Sequence, residues 1–486
     1  MVDVTHERRA PPHTVLVRVT HWVVVGTVVG LFVSGIGILV SHPRLYWGET
    51  GSVGTGSLVD LPIPFIIGPS VWNRPFHFFF AWILVLTGLV YTAGGFGSRH
   101  FRSQLMPAKS DLRWNHIKAT ISEHLRWNRA APNVPQPYNV VQRLTYLVVV
   151  FVLFPTIVWT GLGMSFGVTS VLPILATALG GHQSARTLHF VCATLLFFFA
   201  VVHVVMVYLA GFWANVREMI TGYVPEEREE STGTPLTRRS FLTAGLATAA
   251  GASGLGAAIH LADRRGLIPP DHAGIVGVGE TLTYASQRIL TSRHSLAREF
   301  PRSAISEVAP VNGPHPRDEH YLRLLADGFK DWRLSVEGLV ARPGSFSLDE
   351  LKRLPAESHI LLHACEEGWS YIAEWTGVRL ATVLELVGIR PEGRYVVFEP
   401  FANPNQSGRV VRVLWDTIDM ADGLHPQTLL AYGMNGEPLP VDHGAPVRLR
   451  LGRHLGYKNT KYLSRILVSD RRDFYRKGRG TWYGGI

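Results

Sequence analysis

Apolar positions are distributed in two different ways along the chain. In the first half they run together. The stretches Val17–Val40, Phe76–Phe96, Leu144–Phe166 and Leu188–Phe212 each hold some twenty mostly apolar residues, the length that crosses a bilayer as a helix. A fifth stretch, Phe241–Leu261, is richer in Ala and Gly and less hydrophobic. From about Ala273 onward the pattern breaks into short β-like runs (Arg333–Leu339, Tyr395–Glu399, Arg448–Leu451, Ile466–Ser469). Turn clusters such as Arg342-Pro343-Gly344 and Asn435-Gly436 separate them. Helical stretches there are few and short, Leu348–Leu354 and Ala381–Leu386 among them. The pattern predicts an all-α bundle of four transmembrane helices with a fifth linking helix, followed by an α+β, strand-rich domain. The expected boundaries are 1–223, 224–270 and 271–486.

Charge orients the spans. Arg8, Arg9 and Arg18 precede or open the first, and the loop after the second carries eight Lys or Arg against Asp111 and Glu123. Gly167–Ala185, between the third and fourth, has no Lys or Arg. Cytoplasmic loops collect positive charge, so the N-terminus is expected in the cytoplasm and the domain beyond the fifth segment outside. The net charge of +10 sits largely beside the spans. No basic stripe interleaved with aromatics is evident, so nucleic-acid binding is excluded. Thr237-Arg238-Arg239-Ser240-Phe241-Leu242 ahead of the fifth segment has the form of a twin-arginine export signal; a positively charged flank on an ordinary helix is the alternative.

Ionisable residues inside spans are functional candidates, and here they are His21, His77, His189 and His203. His189 and His203, fourteen residues apart on one segment, share a helix face and lie ~21 Å apart along its axis. His21 and His203 then fall at the inner side, His77 and His189 at the outer. Two bis-histidine haem b sites are expected, the ligation of an electron carrier with no open axial position.

Residues 13–220 resemble the di-haem cytochrome b subunits of hydrogenases and formate dehydrogenases. Arg18-Val-Thr-His21-Trp22, Ser34-Gly35, Arg74-Pro-Phe-His77 and Leu188-His189…His203 carry the likeness. It implies electron exchange between quinone and an external partner.

Of two cysteines, Cys192 falls in a span and Cys365 in the second half, so no intrachain disulfide is expected. Cys365 stands in His363-Ala364-Cys365-Glu366-Glu367-Gly368-Trp369-Ser370, followed by Trp375-Thr376-Gly377-Val378. A thiolate is a soft ligand for a transition metal. With His425-Pro-x-Thr-Leu-Leu430, His443-Gly-Ala-Pro-Val-Arg448 and Gly456-Tyr-Lys458-x-x-Lys461, the region from about 290 to 486 resembles the sulfite oxidase family of molybdopterin enzymes. Within it, the catalytic subunits of protein-methionine-sulfoxide reductases are the nearest in pattern. The resemblance implies that Cys365 binds molybdenum and is catalytic, and that His443, Arg448, Gly456 and Lys458 hold the molybdopterin. An Arg fork and a close-approaching Gly backbone suit a pterin phosphate. Two departures stand out. Glu366-Glu367-Gly368-Trp369 replaces the arginines that sulfite-oxidising members carry after the cysteine, which disfavours sulfite. His443 stands where the reductases place a pterin-binding Asn.

The function expected is a molybdenum-cofactor-dependent oxidoreductase in the bacterial inner membrane. It would pass electrons from quinol through two haems to an S- or N-oxide that is small or carried on a protein. Two alternatives stay open: a substrate-oxidising enzyme that reduces quinone, and a non-catalytic electron-transfer anchor. Oligomeric state is left undetermined.

Overall fold

A computed structural model describes residues 13–63, 73–107, 111–115, 117–118, 122, 140–222, 274–292, 294–401, 403–404, 410–412 and 415–471. The fifth apolar segment and the twin-arginine motif lie outside them. The chain forms two compact units. One comprises Met1–Phe32, Phe80–Val158 and His189–Ala257; the other comprises Val33–Phe79, Trp159–Leu188 and Ala258–Ile486.

Among the described residues, four helices are long and apolar enough to cross a membrane: Val15–Leu39, Asn73–Gly97, Val140–Gly163 and His182–Leu209, of 24 to 28 residues. At 1.5 Å per residue each exceeds the ~30 Å hydrocarbon core. Val19, Val29, Val33, Leu89, Phe198 and Val202 point outward and exposed, a surface suited to lipid rather than water. The third span is not regular. Val149–Leu153 makes a π turn directly ahead of the helix Phe154–Gly163. Pro155 cannot donate to the turn before it and its ring crowds the carbonyl there, and the wider turn absorbs that conflict.

In the first unit, Gly30 lies so close to the ring of Phe80 that an added Cβ would sit 2.3 Å from it, so only glycine permits this approach. The short helix Phe212–Thr221 after the fourth span is tied to the first. Arg18 donates to the Ile220 carbonyl at 3.2 Å and Trp22 to that of Met219 at 3.2 Å.

All the strands among the described residues lie in the second unit. β1 (Arg44–Leu45) and β2 (Val59–Asp60) pair in the connection between the first two spans. Then come β3 (Arg333–Gly338), β4 (Gly344–Ser347), β5 (Ala356–Ala364), β6 (Ser370–Arg379), β7 (Tyr395–Pro400), β8 (Asn403–Pro404) and β9 (Val410–Arg412). β10 (Asp416–Asp419), β11 (Thr428–Met434), β12 (Glu437–Pro438), β13 (Arg448–Leu451) and β14 (Leu463–Ser469) complete the order. One sheet runs β10-β7-β14-β3-β4; the other runs β12-β11-β6-β5, with β13 on β11. Only the β14–β3 pair is parallel among these named pairs.

Trp332, Leu334, Val336, Leu351, Val383, Leu384, Phe398, Leu449 and Ile466 form the main core between the sheets and helices. The helix Leu348–Arg353 starts at a capping box, with Ser347 accepting from the Glu350 N–H and Glu350 reaching back to Ser347, so two otherwise orphaned donors are satisfied. The helix Leu380–Val387 buries Leu380, Val383, Leu384 and Val387 and stops at Gly388, whose φ is +69°. Helix Gly274–Leu290 is fastened by charge. Tyr284 donates to Asp419 at 2.6 Å, and Arg288 pairs with Asp419 and with buried Asp422. Arg453 and His454 also meet Asp422, at 2.6 and 2.8 Å.

Candidate functional site

The membrane histidines come first. His21 and His203 face each other with ring centroids 6.2 Å apart, close enough for both to hold one iron. Phe199 stacks on His203 at 5.8 Å, Tyr146 meets its edge at 6.3 Å, and Trp22 lies against His21 at 5.4 Å. The pair is enclosed in aromatics, as an apolar macrocycle requires. His77, in the other unit, has its Nδ1 3.0 Å from the Ser34 hydroxyl. Gly35 leaves room beside it, since an added Cβ would be 3.5 Å from the ring. The ring of His189 bonds the carbonyl of Ile157. A partner on one ring nitrogen fixes the tautomer and turns the other toward a metal.

Cys365 follows directly on β5, at the head of the β5–β6 hairpin. Its N–H donates to the Trp369 carbonyl at 2.9 Å and the Gly368 N–H returns to the Cys365 carbonyl at 3.0 Å. Gly368 takes a φ of +105° to close this loop, a conformation that glycine adopts without penalty. The thiol is buried, with the Asn312 amide 3.5 Å from Sγ. Burial, reinforced by Glu367, pushes it up to about 12. A bound metal cation would favour the thiolate here by taking the proton's place.

Cations gather around Tyr371, which also feels the Cys365 thiol. On β13, Arg448 and Arg450 are both buried, while Leu449 enters the core. Their guanidinium groups lie 4.8 and 5.5 Å over the ring of Trp375. Arg448 donates to the carbonyls of His443 and Asn459 at 2.8 and 3.1 Å. Arg450 donates to the Leu362 carbonyl at 2.8 Å and to Asn459 Oδ1 at 3.1 Å. Neither pairs with a carboxylate among the described residues. Burial, with Arg448 beside it, brings Arg450 down to about 9. Lys461 donates to the carbonyls of Asn312 and Asp442 at 2.7 and 2.9 Å, and burial brings it down to about 8. His443 is held down to about 4, by burial and then by Arg448. His363, fully enclosed, is held well below its ordinary value by burial and then by Arg450 and Arg448; its Nδ1 is buried with no hydrogen-bond partner.

Buried cations without a counter-anion are costly. The donor set therefore fits a polyanionic group such as the phosphate of molybdopterin, with an orphaned imidazole nitrogen beside it.

The structure gathers Cys365, His443 and Arg448 around Tyr371. Gly456 lies against His363, where an added Cβ would come 2.8 Å from His363 Nε2. Lys458 is placed otherwise. Its ammonium is fully buried on Asp416 at 2.6 Å and on the Thr417 carbonyl at 2.9 Å. Asn312, Tyr371 and Arg450 join this cluster without having been singled out from sequence, and Lys461, quoted in its motif, joins it without having been given a role. The i, i+2 spacing of Arg448 and Arg450 on a strand was the available signal, since it puts both on one face. Trp369 and Trp375, quoted only within the motifs around Cys365, are both buried. Trp375 carries the two guanidinium groups and Trp369 stacks on Tyr371 at 6.0 Å.

Residues 12–222 match the family described as prokaryotic cytochrome b561, and residues 323–475 match the oxidoreductase molybdopterin-binding domain. A protein of Azospira oryzae, provisionally named a protein-methionine-sulfoxide reductase subunit, is 36% identical over 194 residues, which are 40% of this chain and 69% of that one. The protein-methionine-sulfoxide reductase catalytic subunit of Xanthomonas campestris is 39% identical over 141 residues, 28% of this chain and 44% of its own. This chain thus spans less than half of that catalytic subunit. The sulfane dehydrogenase of Paracoccus pantotrophus shares 25% identity over 30% of this chain and 40% of its own, with a TM-score of 0.27. Four membrane helices, a two-sheet domain around Cys365 and both family matches place the chain in the prokaryotic cytochrome b561 family, joined in one polypeptide to a sulfite oxidase-type domain: a membrane-bound, molybdenum-cofactor-dependent oxidoreductase that also binds haem b.

Proposed function

We propose that the chain oxidises quinol and spends the electrons on removing oxygen from a sulfoxide, methionine sulfoxide or a close S- or N-oxide. The observation that carries this reading is the buried Cys365 thiol, with Lys461 near enough to act on it and with buried Arg448 and Arg450 gathered with it around Tyr371, neither guanidinium paired with a carboxylate among the described residues. The names of the Azospira and Xanthomonas relatives point to the same substrate class.

In this reading two haems are held, one by His21 and His203, the other by His77 and His189. The Ser34 hydroxyl and the Ile157 carbonyl orient the outer pair. The cofactors supply one-electron transfer and two-electron oxygen exchange; the chain positions them and keeps water out. Arg448 and Arg450 hold the pterin phosphate, Gly456 lets the backbone approach, and Asn312 steadies the sulfur. His443 and His363 stay neutral, so they add no charge to the cation ring. Lys458 is anchored on Asp416 and on the Thr417 carbonyl. One quinol gives quinone, two electrons and two protons; one oxide with two electrons and two protons gives its parent compound and water.

The Lys- and Arg-rich loops support a cytoplasmic N-terminus. The molybdopterin domain shares its compact unit with the 41–60 connection and the first turns of spans two and four, the ends expected outside. Export through the twin-arginine motif would allow the domain to cross with its cofactor bound.

Anaerobic turnover with a reduced quinol analogue tests the proposal against methionine sulfoxide, other S- and N-oxides, and sulfite with an oxidant. Methionine sulfoxide should reoxidise the haems. If sulfite reduces them and no oxide reoxidises them, the direction is reversed and the proposal fails. Cys365→Ser should lose molybdenum and turnover while the visible haem spectrum stays unchanged.

A further inference from the structure

The loop that presents Cys365 is gripped from outside its own domain fold. Gly51, in the connection between the first two spans, exchanges both backbone hydrogen bonds with Ser370, at 3.0 and 2.9 Å. Gln183, in the first turn of span four, is fully buried. Its amide donates to the Gly368 carbonyl at 2.9 Å and to the Ser370 hydroxyl at 2.8 Å. The Ser370 hydroxyl donates onward to the Glu49 carbonyl at 2.9 Å. Span four is fixed to the same connection. The N–H groups of Gln183 and Ser184 meet the Gly48 carbonyl at 2.9 and 3.1 Å, and Arg186 donates to the carbonyls of Arg44 and His42 at 2.6 and 2.7 Å. At the start of span two, Arg74 reaches the Glu366 carbonyl at 3.5 Å.

The helices that bear the outer histidines thus both touch the five residues after Cys365. Arg74 stands one turn before His77, and Gln183 six residues before His189, ~9 Å along the helix. From Gln183 the shortest connected route to sulfur has two hydrogen bonds. It runs from the amide N–H to the Gly368 carbonyl, through the Gly368 backbone, then from its N–H to the Cys365 carbonyl and out to Sγ.

We propose that this Gln183–Gly368 bridge is the path by which electrons pass from the haem at His77 and His189 to the metal at Cys365, with Gln183 as its positioning residue. The proposal rests on the function proposed above. No bond in the bridge forms or breaks. Bound haem would supply electrons one at a time, so two passages, with two protons, would balance the reduction of one oxide to its parent and water.

The test uses the full chain with its cofactors. Wild type and Gln183→Met are reduced with quinol and mixed with methionine sulfoxide while haem reoxidation is followed by stopped-flow absorbance. Turnover is then driven by reduced methyl viologen, which delivers electrons to the metal directly. Gln183→Met should reoxidise its haems about tenfold more slowly or worse, with viologen turnover, KM, haem content and molybdenum content within about twofold of wild type. Gln183→Glu, which keeps the shape but cannot donate to the Gly368 carbonyl, should slow reoxidation likewise and serves if the Met variant does not fold. Equal slowing with both donors would mean a structural role and would overturn the bridge, as would unchanged reoxidation. If wild-type haems are not reoxidised by any oxide, the functional reading itself falls and the bridge with it.

Discussion

Arg448 and Arg450 show how much of the pocket is decided by single side chains. Each is buried, and each spends its donors on carbonyl oxygens. A charge-assisted bond to a bound phosphate contributes ~1.5–3 kcal/mol. Arg450→Met, which keeps much of the volume, should therefore leave a folded protein that retains molybdopterin about 10- to 100-fold less tightly, measured by cofactor release on dialysis. His203→Ala should remove about half the haem, read from the pyridine haemochrome, if each ligand pair holds one iron. Acid sensitivity belongs to this scale too. Burial holds His42, His425 and His443 at about 4, against an ordinary 6.5. Their folded pKa values lie below the unfolded one, so the unfolded chain takes up protons first as pH falls. Stability should be intact above about 6.5 and decline toward 4; melting temperatures across that range check it, and a flat profile would contradict it.

At the scale of elements, what the sequence revealed depended on the solvent each element faces. The spans were legible because a bilayer dictates their length, and the observed helices begin and end within a few residues of the apolar runs. β3, β7, β13 and β14 were legible as short apolar runs. β5 and β6 were not read as strands, although they carry the Cys365 loop. β6 is buried along nearly its whole length, so the alternation that marks a half-exposed strand is missing. Helix Gly274–Leu290 was missed because it is held by Arg288 and Tyr284 on acidic partners, contacts no periodicity encodes. Gly377, quoted only as a letter of a motif, has a plain structural cause. A Cβ there would fall 2.2 Å from the Leu430 carbonyl, so β6 and β11 could not pair. Gly377→Ala should destabilise the domain by ~1–3 kcal/mol, seen as a lower denaturation midpoint with haem content unchanged.

At the scale of the whole molecule, Asp422 ties the helix ahead of the domain to the domain's far loops. It is buried, its carboxyl is held well below the usual range by His454 and Arg288, and it also meets Arg453. Removing one member of such a cluster strands the others, so Asp422→Ala should cost ~3–5 kcal/mol and expose helix Gly274–Leu290 to proteolysis. The order of strands sets a further condition. β14 lies in the middle of its sheet, between β7 and β3, yet it is translated after all the other strands. The ribosome finishes span four at Leu209 well before it reaches Leu463, a delay of roughly 10–50 s at ordinary elongation rates. During that interval the bundle can already be inserted, while the sheet beside the redox pocket lacks its centre. A stop codon before Leu463 should therefore leave a haem-binding membrane protein whose extramembrane half is degraded, so the cytochrome can mature before β14 fills the centre of its sheet.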